Sequence, residues 1–403
     1  NLEAVIKSPF YYRSRAALGN SAFNLGLDER AIESFQVTAD LVPGSWEMKN
    51  NLAVAILDGD NPEDALEVLE RALGITGDSK LSDISVFLQG QAYQSIGKMD
   101  IAAQFMTQSL ALGLSGNRSA QAHLVLGEHA ISSERFNRAI GHLNQAVIIL
   151  PPSSLAYSLR GQALAEKNRF QEASRNFEKA IELGSTRKSD TVDLGISYFE
   201  SGLNIEAINV LDQAVSIDPL DWKALAYRGK ANTELGRQEP GFRDLDQAIR
   251  ISPQDSDAYH LRGSAYLDSG EYEKALKDLD EAIRLDSRDP DQFVARGDTR
   301  FALDRLTEAG KDYAMAVQLR SQLASPTLVV DLDELDEAIL MHPLKTPLYH
   351  QRGQAYYTLG QYSKVISDLD QAIALNPKNA QAILDRGMAY IGLGQHQEAL
   401  EDF

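Results

Sequence analysis

Residues 256–289 read SDAYHLRGSAYLDSGEYEKALKDLDEAIRLDSRD. Ala275, Leu279 and Ala282 follow Gly263 by twelve, sixteen and nineteen residues, with Gly270 between. Small and large apolar residues recur three and four apart on both sides of Gly270. That spacing predicts two amphipathic helices joined by a tight turn. A helix pair of this size cannot bury its own apolar face, so it must stack on copies of itself.

The copies are present. In the register set by Ser256, units begin at residues 12, 46, 83, 120, 154, 188, 222, 256, 290, 346 and 380. The step is 34 residues from 120 through 290, and three extra residues precede the units at 83 and 120. Column eight of the unit is Gly in ten of the eleven, including Gly19, Gly127, Gly195, Gly263 and Gly353; Ala53 fills the other. Gly inside a helix costs about 1 kcal/mol against Ala. Repeating that cost in one column predicts close helix–helix approach there. Column twenty is Ala in nine units, column twenty-seven is always small, and column twenty-four is large, as in Phe35, Phe177, Leu245 and Tyr313. Small facing large allows dense packing. Pro43, Pro151, Pro219, Pro253 and Pro377 close units, because Pro stops the second helix.

The 34-residue period with its Gly, Tyr, Ala, large apolar and Pro columns resembles the tetratricopeptide repeat family. The resemblance covers nearly the whole chain. It departs at column four, where Trp is replaced at best by Tyr259 or Tyr349, and at column twenty, where Gly241 and Val365 stand for Ala. It implies an all-α, right-handed superhelical solenoid of about eleven helix-turn-helix units, whose first helices line a concave groove. The expected organisation is the end of a preceding repeat over 1–11, units one to nine over 12–323, an insertion over 324–345, and units ten and eleven over 346–403. The last unit is incomplete, and both ends read as cut from a longer array. Within the insertion, LVVDLDELDEAILMHP places Leu335, Ala338 and Pro343 in the columns of a second helix whose first helix is absent. An unpaired helix is expected there, with a local change of path.

Composition narrows the function. The net charge is −19, and phosphate contacts need clustered Lys and Arg, so no nucleic-acid partner is expected. The charge is uneven: residues 1–187 hold 21 acids and 17 bases (−4), and residues 188–403 hold 37 and 22 (−15). No apolar run approaches a membrane span. The chain has no Cys, hence no thiolate nucleophile or thiolate metal site. Its seven His form no metal-ligand spacing and read as surface or groove residues. The acidic turn Asp58–Asp64 lacks the alternating ligands and distal Glu of a calcium loop. Neither a phosphate-cradling loop nor a nucleophile elbow is visible. No enzyme activity and no cofactor are expected.

Two columns vary together. Arg occupies column seven in six units: Arg160, Arg228, Arg262, Arg296, Arg352 and Arg386. Column twenty-three of those units holds Asn176, Asp244, Asp278, Asp312, Asp368 and Asp402. Units without that Arg lack that Asp, as in Leu18 with Ser34, Leu52 with Val68 and Leu194 with Val210. An ion pair repeated up the stack is expected, since the planar guanidinium satisfies several acceptors at once. Pairing with column twenty-three of the preceding unit would set Arg228 against Val210.

The resemblance implies that columns two, five, nine, twelve and thirteen face the groove. They hold Phe87, Phe199 and Glu200, Lys230 and Glu234, His260 and Asp268, Asp298 and Phe301, and His350, Gln354 and Tyr357. Aromatics among polar groups suit an extended peptide. Members that clamp a terminal carboxylate use Lys at column five; this chain has none there, from Ala16 to Leu384. The expected function is a protein–protein interaction scaffold holding peptide or protein segments in the groove, with a basic or amphipathic partner favoured by the acids. The alternatives are the regulatory or substrate-docking arm of a multidomain kinase or transferase, and a self-assembling structural array.

Overall fold

The computed structural model describes residues 9–75, 82–149, 152–324, 332, 335–336, 339, 345–358, 361–377, 379–393 and 395–402. Every regular element among them is a helix. The chain divides into two compact units, Asn1–Leu159 and Arg160–Phe403.

The first compact unit holds four antiparallel pairs: Pro9–Asn24 with Asp28–Leu41, Trp46–Asp58 with Pro62–Ile75, Asp83–Ser95 with Met99–Ala111, and Gly116–Ser132 with Phe136–Ile149. The three extra residues before repeat four extend its first helix, which starts at Gly116. Leu52, Leu69, Phe87, Leu88, Met106 and Leu126 share one continuous core.

The second holds Phe170–Glu182, which completes repeat five behind Ser154–Ala165, and then six further pairs. They are Lys188–Glu200 with Asn204–Ile217, Trp222–Glu234 with Gln238–Ile251, Ser256–Asp268 with Tyr272–Leu285, Pro290–Ala302 with Leu306–Ala324, Thr346–Thr358 with Tyr362–Leu375, and Ala380–Gly392 with His396–Asp402. Their cores are small clusters, each centred on a column-twenty-four residue such as Leu211, Leu245, Leu279 or Leu369.

Two recurring devices make the pairs. At column eight, a Cβ on Gly195 would stand 2.5 Å from Leu211, one on Gly263 2.8 Å from Leu279, and one on Gly297 2.6 Å from Tyr313. Each Gly therefore lets the large residue of the second helix lie against bare backbone. At column fifteen the turn residue is left-handed wherever it is described: Gly26, Gly97, Gly202, Gly236 and Gly270, but also Asp60, Glu134, Asn168 and Asp304. Gly takes that conformation freely, and other residues are strained there. Recurrent caps start the first helices: Asp221 accepts from the Ala224 N–H, and Asp255 and Asp289 accept from Asp257 and Asp291.

The expected unpaired helix of 324–345 falls largely outside the described residues. Of its core, Leu335 and Ile339 are buried. The expected repeat remnant over 1–11 lies outside them up to residue 8.

Candidate functional site

The column-seven arginines are built into the fold. Arg262 donates from Nε and Nη2 to Asp278 at 2.7 and 2.9 Å, and from Nη1 to Asp246 at 2.8 Å. Arg228 bonds Asp244 and Asp212, Arg296 bonds Asp312 and Asp280, Arg352 bonds Asp368 and Asp336, and Arg386 bonds Asp402 and Asp370. Arg160 instead donates to Asn176 at 2.7 Å. The pairing within each unit is as expected. The second acceptor was not foreseen: it is column twenty-five of the preceding helix pair, two residues past the column considered. The signal was available, since Asp stands there in front of every Arg from Arg228 on. Asp336 supplies it from the insertion, where LDELDEAIL continues the columns of a second helix.

Rings flank several of the guanidiniums: Arg262 lies over Tyr259 and Tyr266, Arg352 over Tyr349 and Tyr356, Arg296 over Phe293 and Arg386 over Tyr390. Burial alone would lower the Arg262 pKa, but its bonds to Asp278 and Asp246 overcome that and hold the charge more firmly. Two carboxylates, one from each of two successive helix pairs, hold the fork in place, and this repeated bridging between pairs makes the ladder structural.

The first helices of repeats six to nine pack side by side. Along this row stand most of the residues expected to face a groove. Lys230, 6% exposed, bonds Glu234 at 2.9 Å and Asp268 at 2.5 Å. Glu234 also accepts from Asn204 at 2.9 Å. Glu200 is raised above the usual carboxylate range by burial and then by Glu234 and Asp291. Asp257 is raised by burial and Asp255. Burial lowers the His260 pKa against the pull of Asp289, Asp257 and Asp291. Asp193 is pushed up to about 6 by burial. Phe199 meets Tyr227 edge to face, half-buried. Asp298 accepts from the Tyr313 hydroxyl at 2.8 Å, and Phe301, 62% exposed, stands free of the core. The row is thus a crowded acidic surface with one buried ammonium, whose acids resist carrying full charge together.

The other expected residues lie elsewhere. Phe87 is 1% exposed and belongs to the core of the first compact unit, so it has no free face to offer a ligand. The period could not distinguish these cases, because column five touches the next pair as well as solvent. His350 bonds Asp385 at 2.7 Å, and Gln354 reaches the same carboxylate at 3.4 Å. Tyr357 lies beside them on the wall of a cavity between repeats ten and eleven. Two histidines correct the surface reading: His123 and His142 are buried, with Nδ1 atoms 3.0 Å apart. His142 occupies column twenty-three, where the ladder has Asp. Among the described residues, no group of acids and histidines could hold a metal ion, and no helix is long and apolar enough to cross a membrane.

Comparison with known proteins adds the family. Models described as tetratricopeptide repeat, or TPR repeat, match residues 16–80, 155–183, 192–256, 245–277, 263–304 and 353–394. The Hsp70-Hsp90 organizing protein of Triticum aestivum is 30% identical over 93 residues, covering 23% of this chain and 16% of that one. The BBSome complex member BBS4 of Bos taurus is 23% identical over 225 residues, covering 56% and 42%. The chain therefore spans less than half the length of either relative. Among solved structures, the APC/C hetero-tetramer Cut9-Hcn1 matches at 15% identity with a TM-score of 0.40, covering 99% of this chain and 89% of that one. YrrB, described as a TPR protein with an unusual peptide-binding site, matches at 23% identity with a TM-score of 0.35, covering 42% and 87%.

Proposed function

The chain belongs to the tetratricopeptide repeat family, and on that premise we propose that it is a protein-interaction scaffold whose row of first helices in repeats six to nine holds a basic or amphipathic segment of a partner protein. Tetratricopeptide repeats bind protein or peptide partners. Two relatives are named for an organising protein and for a member of a complex, which fits a scaffold.

The observation that carries the reading is the acidic row itself. Glu200 and Asp257 both sit above the usual carboxylate range, so a cation brought alongside relieves them. Phe301 offers an exposed aromatic anchor within reach of the same helix as Asp298. Rim charge acts mainly on association rate, and aromatic anchors on dissociation.

The test is binding of an amphipathic lysine-rich peptide and its glutamate counterpart at low and high salt. The lysine peptide should bind more tightly and weaken about tenfold with salt. Phe301→Ala should speed its release, and Asp298→Lys should slow its arrival. Equal binding of both peptides, unmoved by either substitution, would place the partner site off this row.

A further inference from the structure

The candidate lies between repeats ten and eleven, apart from the acidic row. There a cavity of about 320 Å³ opens between the first helices Thr346–Thr358 and Ala380–Gly392 and reaches the second helix behind them. It is at the lower end of ligand-sized clefts, roughly 300 Å³. Its floor is Val365 and Leu369, both otherwise buried, and its walls are Gly353, Tyr357 and Met388.

One packing contact is looser beside the cavity. A Cβ on Gly353 would stand 3.2 Å from Leu369, against 2.5 Å for Gly195 and Leu211 and 2.6 Å for Gly297 and Tyr313. The Leu369 side chain therefore lies less tightly against the backbone of its partner helix than Leu211 or Tyr313 does. Column twenty here is Val365 in place of Ala, a bulkier residue at the crossing. Val365 and Leu369 themselves stay sealed, at 1% and 0% exposure, so an entering side chain rests above them against Gly353, Tyr357 and Met388.

The mouth carries one charge. Asp385 accepts from His350 at 2.7 Å, Gln381 at 2.8 Å and Gln354 at 3.4 Å, which fix its orientation. Those bonds hold its pKa below the ordinary aspartate value against the opposing effect of burial. A carboxylate has about four acceptor sites, so one more donor can be taken. Among the described residues, no Lys or Arg lines the cavity. Met388, 44% exposed, continues into Leu384 and Ile391, four residues before and three after it on the same helix, both exposed. The site is thus an apolar slot with a fixed anion at its rim and an apolar strip alongside.

We propose that this cavity between repeats ten and eleven takes a large apolar side chain, Phe, Leu or Met, of a partner segment whose neighbouring Lys or Arg pairs with Asp385. Charge complementarity selects that occupant: an acidic neighbour would meet the fixed carboxylate. The proposal rests on the scaffold reading and adds to it a specific pattern, apolar next to basic, at a place other than the acidic row.

Met388 makes the site directly observable. The chain has six methionines, so methyl-labelled protein gives a sparse spectrum in which Met388 is assigned by Met388→Leu. The probe is the capped peptide Ala-Phe-Lys-Ala-Phe-Lys-Ala, with Ser-for-Phe and Glu-for-Lys versions as controls. The Phe-Lys peptide should shift the Met388 methyl saturably, and neither control should. Asp385→Asn should weaken that binding about fivefold, and Tyr357→Ala about tenfold. Both lie at the surface of the cavity, and an unchanged methyl spectrum without peptide shows that each variant is folded. A Met388 signal that stays still while the Phe-Lys peptide binds in a Phe301-dependent way overturns this inference and leaves the scaffold reading standing. Equal shifts with all three peptides overturn the selectivity for a basic neighbour. A shift that follows protein concentration without peptide assigns the cavity to a second copy of this chain and overturns it too. Absence of binding by any peptide at any site defeats both readings.

Discussion

At the same two columns, repeats one to four and repeats seven to eleven solve one packing problem with different chemistry. The early repeats place Leu52 beside Val68, Gln89 beside Phe105, and Leu126 beside His142. The late ones place Arg beside Asp and add a second Asp from the preceding helix pair. The backbone device is common to both: Gly127 admits Leu143 as Gly263 admits Leu279. The contrast teaches that the helix-pair geometry comes from the Gly and large-residue columns and tolerates an apolar, a neutral polar or an ionic neighbour. The early rungs run along one continuous core, to which Leu52 and Leu126 belong. The ionic rungs leave smaller separate clusters joined by forks that span neighbouring pairs. A buried ion pair is weak evidence for stability but is costly to break from one side. The late repeats therefore depend on register, and the early ones on volume.

The sharpest break of this contrast is Asp278→Ala, which leaves Arg262 with Asp246 alone. It should cost about 3 kcal/mol in urea unfolding. Installing the early-repeat chemistry with Arg262→Leu and Asp278→Val should recover most of that, to within about 1 kcal/mol of the parent. A single variant as stable as the parent would show that the fork is ornamental.

Next comes the shared device. Gly195→Ala sets a Cβ 2.5 Å from Leu211 and should destabilise by about 2 kcal/mol. Gly353→Ala meets Leu369 only at 3.2 Å. There the gain of about 1 kcal/mol in helix propensity should offset the contact. Equal melting shifts for the two would contradict the looser contact at Gly353.

Repeat six is an apolar rung within the later region, with Leu194 and Val210 in the two columns and Asp193 beside Leu194. Burial pushes Asp193 from 3.8 up to about 6. A carboxyl raised in the folded state favours folding when protonated. Its favourable contribution is complete below the unfolded value and is lost as pH rises through the folded one. Asp193→Asn should therefore come close to the parent near pH 4 and exceed it by about 2 kcal/mol at pH 7.5, at about 1.4 kcal/mol per unit of a roughly two-unit rise, reduced for partial exposure. A difference that does not change between those two pH values would remove the burial argument.

The smallest effect lies in the turns, where the two regions behave alike. Glu134 and Asp304 hold left-handed conformations that Gly fills in other repeats. Glu134→Gly and Asp304→Gly should each stabilise by about 0.5 kcal/mol, read as a small rise in melting temperature. A loss at either turn would mean that its side chain makes a compensating contact.

The sequence by itself determined the period, the helix pairs, the Gly column and half of the ladder. All of these repeat at fixed spacing, and helical spacing is local. The second acceptor of each Arg was also legible, because Asp212, Asp246, Asp280, Asp336 and Asp370 recur in one column. Other features leave no periodic trace. Phe87 and Phe301 both occupy groove columns, yet one is core and the other stands in solvent. Lys230 is spent on Glu234 and Asp268, and His142 faces His123 from the column of an ion pair. The cavity above Leu369 is lined from three helices of two repeats. Tertiary structure alone decided these, because side-chain burial between stacked pairs depends on their separation and rotation, which are set by the sum of many side-chain volumes and by no single column.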